Sequence, residues 1–472
     1  MLGFCAGLPF YMFSTVLALR LADHGVGLVV IGFFAWITLL PTFKFLWAPV
    51  VDRYAMPGFA RYWGKRRGWI MLAQLGIVAS LVAMALTSAD RSLAVTALFA
   101  VQLAFWTTTF EVAADAWRIE LAPTPALQGP IVAANISGYR SAMVAAGSVT
   151  LIIADRGGWT LAYLAIAAAA LLPFPVLAAM SRGDAGEGRR STALVTGMLA
   201  SAGVIAALAL ATAAVGFVLL HLVAQAGIGE QTNVTPVVLG VCLLPFVLLA
   251  LALPRIRRAR ADDPLRTSPV VGPYVDIFWR FGYAALAVLL FVSLYRMGDV
   301  LALTLAKPLV KSLGYSLTAI GLADAIVALA ASIAGAALGG WLVMRTPLPG
   351  ALAAGAVAAA LGNWGLVWLA HQPVGTAALY LATAADQFGN GMAGAVFVVY
   401  LSMLVNPKHA GAQYALLSGF GFLLPRLLAG ASGAMQVRIG YDGFFWLAGG
   451  LSLAALLVLP IVARVRPRES DR

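Results

Sequence analysis

Long apolar stretches separated by short polar connectors run along the whole chain. Each stretch lasts about 20 residues, the length that an α-helix needs to cross the hydrocarbon core of a bilayer. Strands of a membrane β-barrel would instead alternate apolar and polar side chains over roughly ten residues. The pattern therefore predicts about 14 membrane-spanning helices. We expect them near residues 4–22, 28–50, 69–88, 92–114, 132–153, 159–180, 195–223, 234–253, 282–304, 317–343, 348–370, 375–404, 412–435 and 443–464.

The composition also indicates that most of this chain is surrounded by lipid. Hydrophobic residues make up 62% of the 472 residues and charged residues 11%, with a mean hydropathy of +0.92. A soluble domain has roughly 25% charged residues, so this chain has too few polar side chains to cover a water-facing surface. In lipid, each backbone polar group must bond within the protein, which favours helices. We therefore predict an all-α polytopic membrane protein.

Positive charge is distributed unevenly among the connectors. The net charge is +12, and about 21 of the 31 Lys and Arg residues fall in alternate connectors and the C-terminal tail. Under the positive-inside rule these connectors are cytoplasmic. We interpret the charge as membrane topology and not as a nucleic-acid surface, and we predict that both termini are cytoplasmic. The basic clusters are Arg53, Arg61, Lys65, Arg66 and Arg67; Arg255, Arg257, Arg258, Arg260 and Arg266; and Arg464, Arg466, Arg468 and Arg472.

Two similar glycine motifs divide the chain into halves. Gly25 stands six residues before Ile31-Gly32, and Gly314 stands six residues before Ile320-Gly321. The motifs predict two six-helix bundles, and alternating access uses two such bundles that rock about a site near the midplane. The alternative is a coincidence of glycine-rich loops. The predicted division is an N-terminal bundle at 1–190, an inserted helical hairpin with a basic cytoplasmic linker at 191–280, and a C-terminal bundle with a basic tail at 281–472.

Two carboxylates, Glu111 and Asp115, lie one helical turn apart at the end of the fourth predicted span. Their spacing puts them on one helix face. Two close carboxylates repel when both are ionised, so such a pair can bind and release a proton near neutral pH. This pattern indicates proton coupling. The alternative is a solvated network at a helix end, in which the two carboxylates join Arg118 and Glu120.

Arginines inside predicted spans are candidates for solute binding, because an ionisable group at this depth is costly unless it has a function or a partner. Arg140 and Arg426 occupy similar depths in equivalent helices of the two halves. A guanidinium binds carboxylate with two hydrogen bonds, so facing arginines would suit an anionic solute. The alternative is that each arginine pairs with a neighbouring Asp. Further candidate contacts are Arg296, Asp299, Asp386, Tyr139 and Tyr295.

Asp52 ends the second predicted span, and the basic run that contains Arg66 follows it. We predict that Asp52 holds the Arg66 region and the start of a neighbouring helix, which makes a latch that is closed in one access state and broken in the other. The alternative is that the basic run only sets topology. The candidate gating residues are Lys44, Asp52, Arg53, Arg66, Arg67 and Arg118.

These signatures together resemble a known family, the AmpG muropeptide permeases of the major facilitator superfamily. The resemblance covers both halves and includes the inserted hairpin. It lies in Phe43-Lys44-Phe45-Leu46-Trp47-Ala48-Pro49-Val50-Val51-Asp52-Arg53-Tyr54, Gly64-Lys65-Arg66-Arg67-Gly68-Trp69, Asp115-Ala116-Trp117-Arg118-Ile119-Glu120, Gly138-Tyr139-Arg140, Leu294-Tyr295-Arg296-Met297-Gly298-Asp299 and Gln413-Tyr414-Ala415-Leu416-Leu417-Ser418.

The resemblance implies proton-driven symport of anhydromuropeptides, GlcNAc–anhydroMurNAc peptides, from periplasm to cytoplasm across the bacterial inner membrane for peptidoglycan recycling. The family's acidic pair in helix four would fall on Glu111 and Asp115. Family members often have Gln-Asp where this chain has Phe110-Glu111.

Three other functions stay open from the sequence. One is a facilitator-fold permease for another anionic solute, such as a sugar, peptide, drug or acyl-CoA. The second is a membrane assembly factor that transports nothing, and the third is an integral-membrane enzyme, which should show a cluster of catalytic carboxylates or His. No such cluster stands out, so we predict that the chain is not an enzyme. Cys5 and Cys242 lie in apolar stretches without metal-ligand spacing, and we expect no cofactor.

Overall fold

Helices make up almost all of the structure, a computed structural model that describes residues 1–26, 36–56, 63–87, 93–179, 247, 250–260, 262–268, 270–429 and 432–465. Within these residues, nine helices are long and apolar enough to cross a membrane. The prediction of an all-α polytopic protein is confirmed. The predicted hairpin at 195–253 lies outside the described residues except at 247 and 250–253, so the count of about 14 spans stays a prediction.

The N-terminal half begins with a helix that contains a π-helical turn at Met12–Val16. A 3₁₀ segment at Trp36–Leu46 follows, where the spacing predicted the second membrane α-helix. Pro41, which lacks a backbone N–H, interrupts the α-helical hydrogen-bonding pattern there. The helices are α1 (Leu2–Asp23), α2 (Ala48–Arg53), α3 (Lys65–Leu86), α4 (Leu93–Leu121), α5 (Pro125–Leu171) and α6 (Pro173–Ala179).

The C-terminal half follows two short helices of the linker. Most of its membrane helices begin and end within a few residues of the predicted bounds. The helix predicted at 348–370 has the same bounds in the structure, Leu348–Ala370. The helices are α7 (Pro264–Thr267), α8 (Gly272–Phe281), α9 (Ala284–Ser312), α10 (Ala319–Arg345), α11 (Leu348–Ala370), α12 (Thr376–Leu404), α13 (Ala410–Ala429) and α14 (Ser432–Ala463).

Glycines in the left-handed region recur at matching places in the two halves. Gly25 has a φ of 74° and Gly314 a φ of 93°, and both belong to the glycine motifs of the sequence. Gly158 (φ 79°) breaks α5 and Gly440 (φ 71°) breaks α14, where the chain turns between two predicted spans. A residue with a Cβ is disfavoured at such φ values. The two halves therefore share local geometry at two equivalent turns.

The halves pack closely at the end of the bundle that carries the basic residues 53–67 and 255–266, which we call the basic end. Gly129 of α5 faces Gly340 of α10 across the interface, and a Cβ placed on Gly340 would lie 2.6 Å from the carbonyl oxygen of Gly129. Small residues let two membrane helices approach backbone to backbone. The close contact between α5 and α10 seals one flank of the basic end.

A buried arginine caps the end of a neighbouring helix in the N-terminal half. Arg20 of α1 donates to the carbonyl oxygens of Met84 (2.7 Å) and Thr87 (2.6 Å) at the end of α3. Its guanidinium lies 4.8 Å from the ring centroid of Tyr163. The last carbonyls of a helix have no partner within that helix, so Arg20 supplies donors that the helix itself lacks.

We predict that Arg20→Met destabilises the folded protein by about 2 kcal/mol, because charged hydrogen bonds to buried carbonyls are lost. Thermal unfolding in detergent measures the effect. Arg255→Met is the matched control, since the Arg255 side chain is 74% exposed. Equal unfolding temperatures for the Arg20 variant and the control would contradict the capping role.

Candidate functional site

A cavity of about 750 Å³ lies between the two halves. Residues of α1, the 3₁₀ segment, α4 and α5 form one wall, and residues of α9, α12 and α13 form the other. Both halves therefore contact the same space, which is the arrangement expected for a site around which two bundles rock.

The charged residues on the cavity wall are mainly cationic. Five cations face two carboxylates, which leaves an excess of three positive charges on the described lining. Such a surface attracts and holds anions. The charged lining residues are Lys44, Arg118, Arg140, Arg296 and Arg426, with Glu111 and Asp115.

The predicted acidic pair shares one lysine. Lys44 Nζ lies 3.5 Å from Glu111 Oε2 and 3.8 Å from Asp115 Oδ2. Asp115 Oδ1 also accepts a hydrogen bond of 3.3 Å from Arg118. The two carboxylates thus lie on one face of α4, as their spacing predicted, and each has a cationic partner. Lys44, which the sequence suggested as a gating residue, thus forms a cluster with Glu111 and Asp115.

Arg118 connects this cluster to the other half of the molecule. Its Nη1 donates to Gln128 Oε1 at 2.5 Å and to Ser402 Oγ at 3.0 Å. Ser402 belongs to α12, so this second bond crosses between the halves at the basic end.

The three cavity arginines differ in their partners. Arg296 forms a 2.7 Å ion pair with Asp299 and donates to Asn390 Oδ1 at 3.2 Å. Arg426 donates to the hydroxyl of Thr42. In the part of the chain that the structure describes, no carboxylate lies within 4.0 Å of the guanidinium of Arg140 or Arg426. These two arginines, one from each half, are therefore positioned to bind an external anion.

Other predicted solute contacts lie at different depths in the wall. Tyr139 lines the cavity. Tyr295 is buried behind it, where its hydroxyl donates to the carbonyl oxygen of Leu352 at 3.1 Å and its ring stacks on Phe397 with centroids 5.5 Å apart. Asp299 is buried against Arg296, and Asp386 accepts a 2.7 Å hydrogen bond from Gln387. The structure thus brings Tyr139 to the cavity surface and places the other three outside its lining.

Several residues that contact the cavity arginines carry no charge, so the pattern of charged residues in the sequence does not indicate them. The ring centroid of Phe422 lies 5.8 Å from the guanidinium carbon of Arg296 and 5.5 Å from that of Arg426. Thr42 and Asn390 bind the same two arginines. Phe422 therefore makes cation–π contacts with two cationic groups on the wall.

Asp52 joins the halves at the basic end. It accepts hydrogen bonds from the backbone N–H groups of Gly411 (3.0 Å) and Ala412 (2.6 Å) at the start of α13. Its Oδ1 also lies 2.7 Å from Arg66 Nη1, and Arg66 in turn pairs with Glu120 at 2.5 Å. A carboxylate at a helix N-terminus is stabilised by the free N–H groups and the helix dipole.

The residues next to this contact lie at the same end of the bundle. Lys65 donates to the carbonyl oxygen of Asp52 at 2.7 Å. Arg67 is fully buried and Arg53 is half-buried. His409 lies in the turn before α13, where burial lowers its pKa below the usual value of 6.5, so the imidazole is neutral near pH 7.

The linker helix α8 packs against both halves at the basic end. Gln413 of α13 accepts from Arg280 at 2.8 Å and donates to the carbonyl oxygen of Pro273 at 2.9 Å and to Asp276 at 2.8 Å. On the other side, the Tyr274 hydroxyl donates to the carbonyl oxygen of Phe45 in the 3₁₀ segment. The helix α8 therefore bridges the C-terminal half and the N-terminal half.

We predict that Asp52→Asn weakens the closed basic end, because the amide loses the charge that pairs with Arg66 and with the start of α13. Labelling of a cysteine introduced at the neighbouring buried residue (Ala410→Cys) should become about tenfold faster, which corresponds to a loss of about 1.4 kcal/mol. Asp262→Asn is the control, since Asp262 is an exposed carboxylate in the basic linker. An unchanged labelling rate in Asp52→Asn would contradict the latch.

Comparison with known proteins gives relatives that match nearly the whole chain. An anhydromuropeptide permease of Escherichia coli is 27% identical over 463 residues, which cover 97% of this chain and 77% of the relative. A transporter named AmpG 4 of Rickettsia felis is 25% identical over 460 residues, 97% of this chain and 94% of the relative. No family model matches the chain. The AmpG-like resemblance seen in the sequence is confirmed.

Solved structures show the same fold. The proton:xylose symporter XylE superposes with a TM-score of 0.62 at 16% identity and covers 99% of this chain and 95% of its own. The human organic anion transporter MFSD10 superposes with a TM-score of 0.62 at 13% identity and covers 97% of each chain. The prediction of the major facilitator fold is confirmed.

Proposed function

We propose that this chain, an AmpG-like transporter with the major facilitator fold, imports anhydromuropeptides from periplasm to cytoplasm in symport with protons. The name of the Escherichia coli relative supports the solute class. The charge of the cavity supports it independently, because muropeptides carry peptide carboxylates. The proposed role is transport for peptidoglycan recycling, without a chemical reaction on the solute.

The arrangement of Arg140 and Arg426 supports the proposal most strongly. They come from α5 and α13, in opposite halves, and both line the cavity. Since neither guanidinium has a described carboxylate within ion-pair distance, each can bind a carboxylate of the solute. A solute bound to both arginines would contact both halves and thereby have a direct effect on their packing.

Proton coupling is assigned to Glu111 and Asp115. Both carboxylates share Lys44, at 3.5 and 3.8 Å, and Asp115 also pairs with Arg118 at 3.3 Å. Binding of a proton to either one changes the charge of the cavity wall by one unit. The wall then has a larger cationic excess, which strengthens its attraction for an anionic solute.

The orientation follows from the basic end. Under the positive-inside rule, this end faces the cytoplasm of a bacterial inner membrane, with both termini on the same side. Here Asp52, Arg118 and α8 hold the two halves together at that end. We therefore assign the structure to a conformation that is closed toward the cytoplasm.

A second candidate is a permease of the same fold for another organic anion. The cationic wall favours it as much as it favours a muropeptide, because a guanidinium recognises any carboxylate. A membrane assembly factor would require neither the cavity charge nor a proton gradient.

Uptake into proteoliposomes tests the proposal directly. Labelled GlcNAc–anhydroMurNAc peptide should accumulate in vesicles with an imposed inward proton gradient, and a protonophore should abolish the accumulation. Uptake that other carboxylates inhibit but muropeptides do not would favour the second candidate. No gradient-dependent uptake of any anion by folded protein would favour an assembly role.

We predict that Asp115→Asn reduces gradient-driven accumulation at least about tenfold, because the amide cannot bind and release the coupled proton. The folded protein should still insert into the membrane, as size-exclusion chromatography and circular dichroism can show. Asp155→Asn is the matched control, since Asp155 is exposed and lies three residues before the break of α5 at Gly158. Accumulation by Asp115→Asn at the wild-type level would refute the coupling role.

We predict that Arg140→Ala weakens binding of a carboxylate-bearing solute about tenfold or more, as expected for loss of a charged hydrogen bond. Binding of an amidated analogue should change much less. Tryptophan fluorescence titration measures both affinities, with the exposed Arg156→Ala as control. Equal losses for the charged and the amidated analogue would indicate a structural arginine.

A further inference from the structure

The 3₁₀ segment at Trp36–Leu46 is unusually long for its type. It runs for 11 residues, whereas 3₁₀ helices longer than three or four residues are uncommon because their hydrogen bonds have poor geometry. Such a stretch within a membrane helix often marks a hinge. The segment therefore depends on its side-chain contacts to keep this conformation.

Two of its buried side chains reach different helices. Thr42 accepts a hydrogen bond from Arg426 of α13, and Lys44 pairs with Glu111 of α4 at 3.5 Å. A 3₁₀ helix has three residues per turn, so the side chains of residues i and i+2 point in directions about 120° apart around the helix axis. The segment thus contacts the solute site through one side chain and the proton site through the other.

The backbone of the segment also packs directly on α13. A Cβ on Gly419 would lie 2.6 Å from the carbonyl oxygen of Thr42. Both Thr42 and Lys44 are at most 8% exposed. The segment is therefore wedged between α4 and α13, and a shift of Lys44 must displace the contacts of Thr42.

We propose that this segment transmits protonation of the acidic pair to the solute site, with Thr42 and Lys44 as positioning residues. The inference rests on the proposed proton-coupled transport, and it names the element that couples the proton site to the solute site. When the pair takes up a proton, Lys44 loses a counter-charge, the segment relaxes, and Thr42 releases Arg426. The freed guanidinium then binds the anionic solute.

The groups around Glu111 agree with this sequence of events. Its only described cationic partner within ion-pair distance is Lys44, so its protonation affects the 3₁₀ segment before other elements. By thermodynamic linkage, an anion on Arg426 must favour proton uptake to the same extent. The other titratable or charged groups that face it are Asp115 and Arg118 of α4, Tyr139 of α5, and Tyr414 and Arg426 of α13.

Hydrogen exchange of the segment tests the inference without any solute. In wild-type protein, amide exchange over residues 36–46, corrected for the intrinsic pH effect, should rise about tenfold as the acidic pair is protonated. Glu111→Gln, which mimics the protonated acid, should show the fast exchange at every pH. The matched control is Asp324→Asn, which removes the carboxylate of the exposed Lys307–Asp324 pair and should leave the segment unchanged.

Exchange that responds neither to pH nor to Glu111→Gln would overturn the inference, whatever the transport assays show. A response in exchange together with no uptake by wild-type protein would instead refute the proposed function alone.

Transport by Thr42 variants gives the second readout. Thr42→Val removes the hydroxyl at nearly constant shape, so solute exchange between the two sides should continue while gradient-driven accumulation falls about tenfold. Thr42→Ser retains the hydroxyl and should restore the ratio of accumulation to exchange. Equal losses of both activities in Thr42→Val would show a structural threonine and overturn its positioning role.

Discussion

Charge neutralisation inside the bundle is the constraint on which the rest of the structure depends. An ionised side chain at bilayer depth is costly unless it has a partner or water. Lys44 and Arg118 neutralise Glu111 and Asp115 of α4, and Asp299 neutralises Arg296. Arg140 and Arg426 are the described cavity arginines without such a carboxylate partner, so they keep the cavity cationic. The solute that we propose supplies the missing negative charge.

Another carboxylate, Asp52, joins the two halves at the basic end. It binds the backbone N–H groups in the first turn of α13 and the guanidinium of Arg66 at the same time. The helix α13 thus begins at a contact with the N-terminal half and contains Arg426 further along, which binds Thr42 of the same half. One helix, α13, therefore carries both the contact with Asp52 at the basic end and a cationic residue of the cavity.

Much of this arrangement was predictable from local pattern. Twenty-residue apolar runs gave the membrane helices, and glycine positions such as Gly25 and Gly314 indicated the repeated turn geometry. The i, i+4 spacing placed Glu111 and Asp115 on one face. The 3₁₀ segment was not predictable, since its apolar residues fit an α-helix equally well. Tyr295 adjoins Arg296 in sequence but points away from the cavity, because adjacent helical residues are turned by about 100°. Contacts between distant residues, such as Thr42 with Arg426, have no sequence signature.

Alternating access around the cationic cavity is the central claim, and distances between spin labels at the two ends test it most directly. One label pair is Ala126→Cys with Lys408→Cys at the basic end, and the other is Asp155→Cys with Arg438→Cys at the opposite end; all four side chains are exposed. Both native cysteines are replaced by serine. On acidification with muropeptide present, the distance at the basic end should lengthen while that at the opposite end shortens. Distances that stay constant, or that change in the same direction at both ends, would contradict the account.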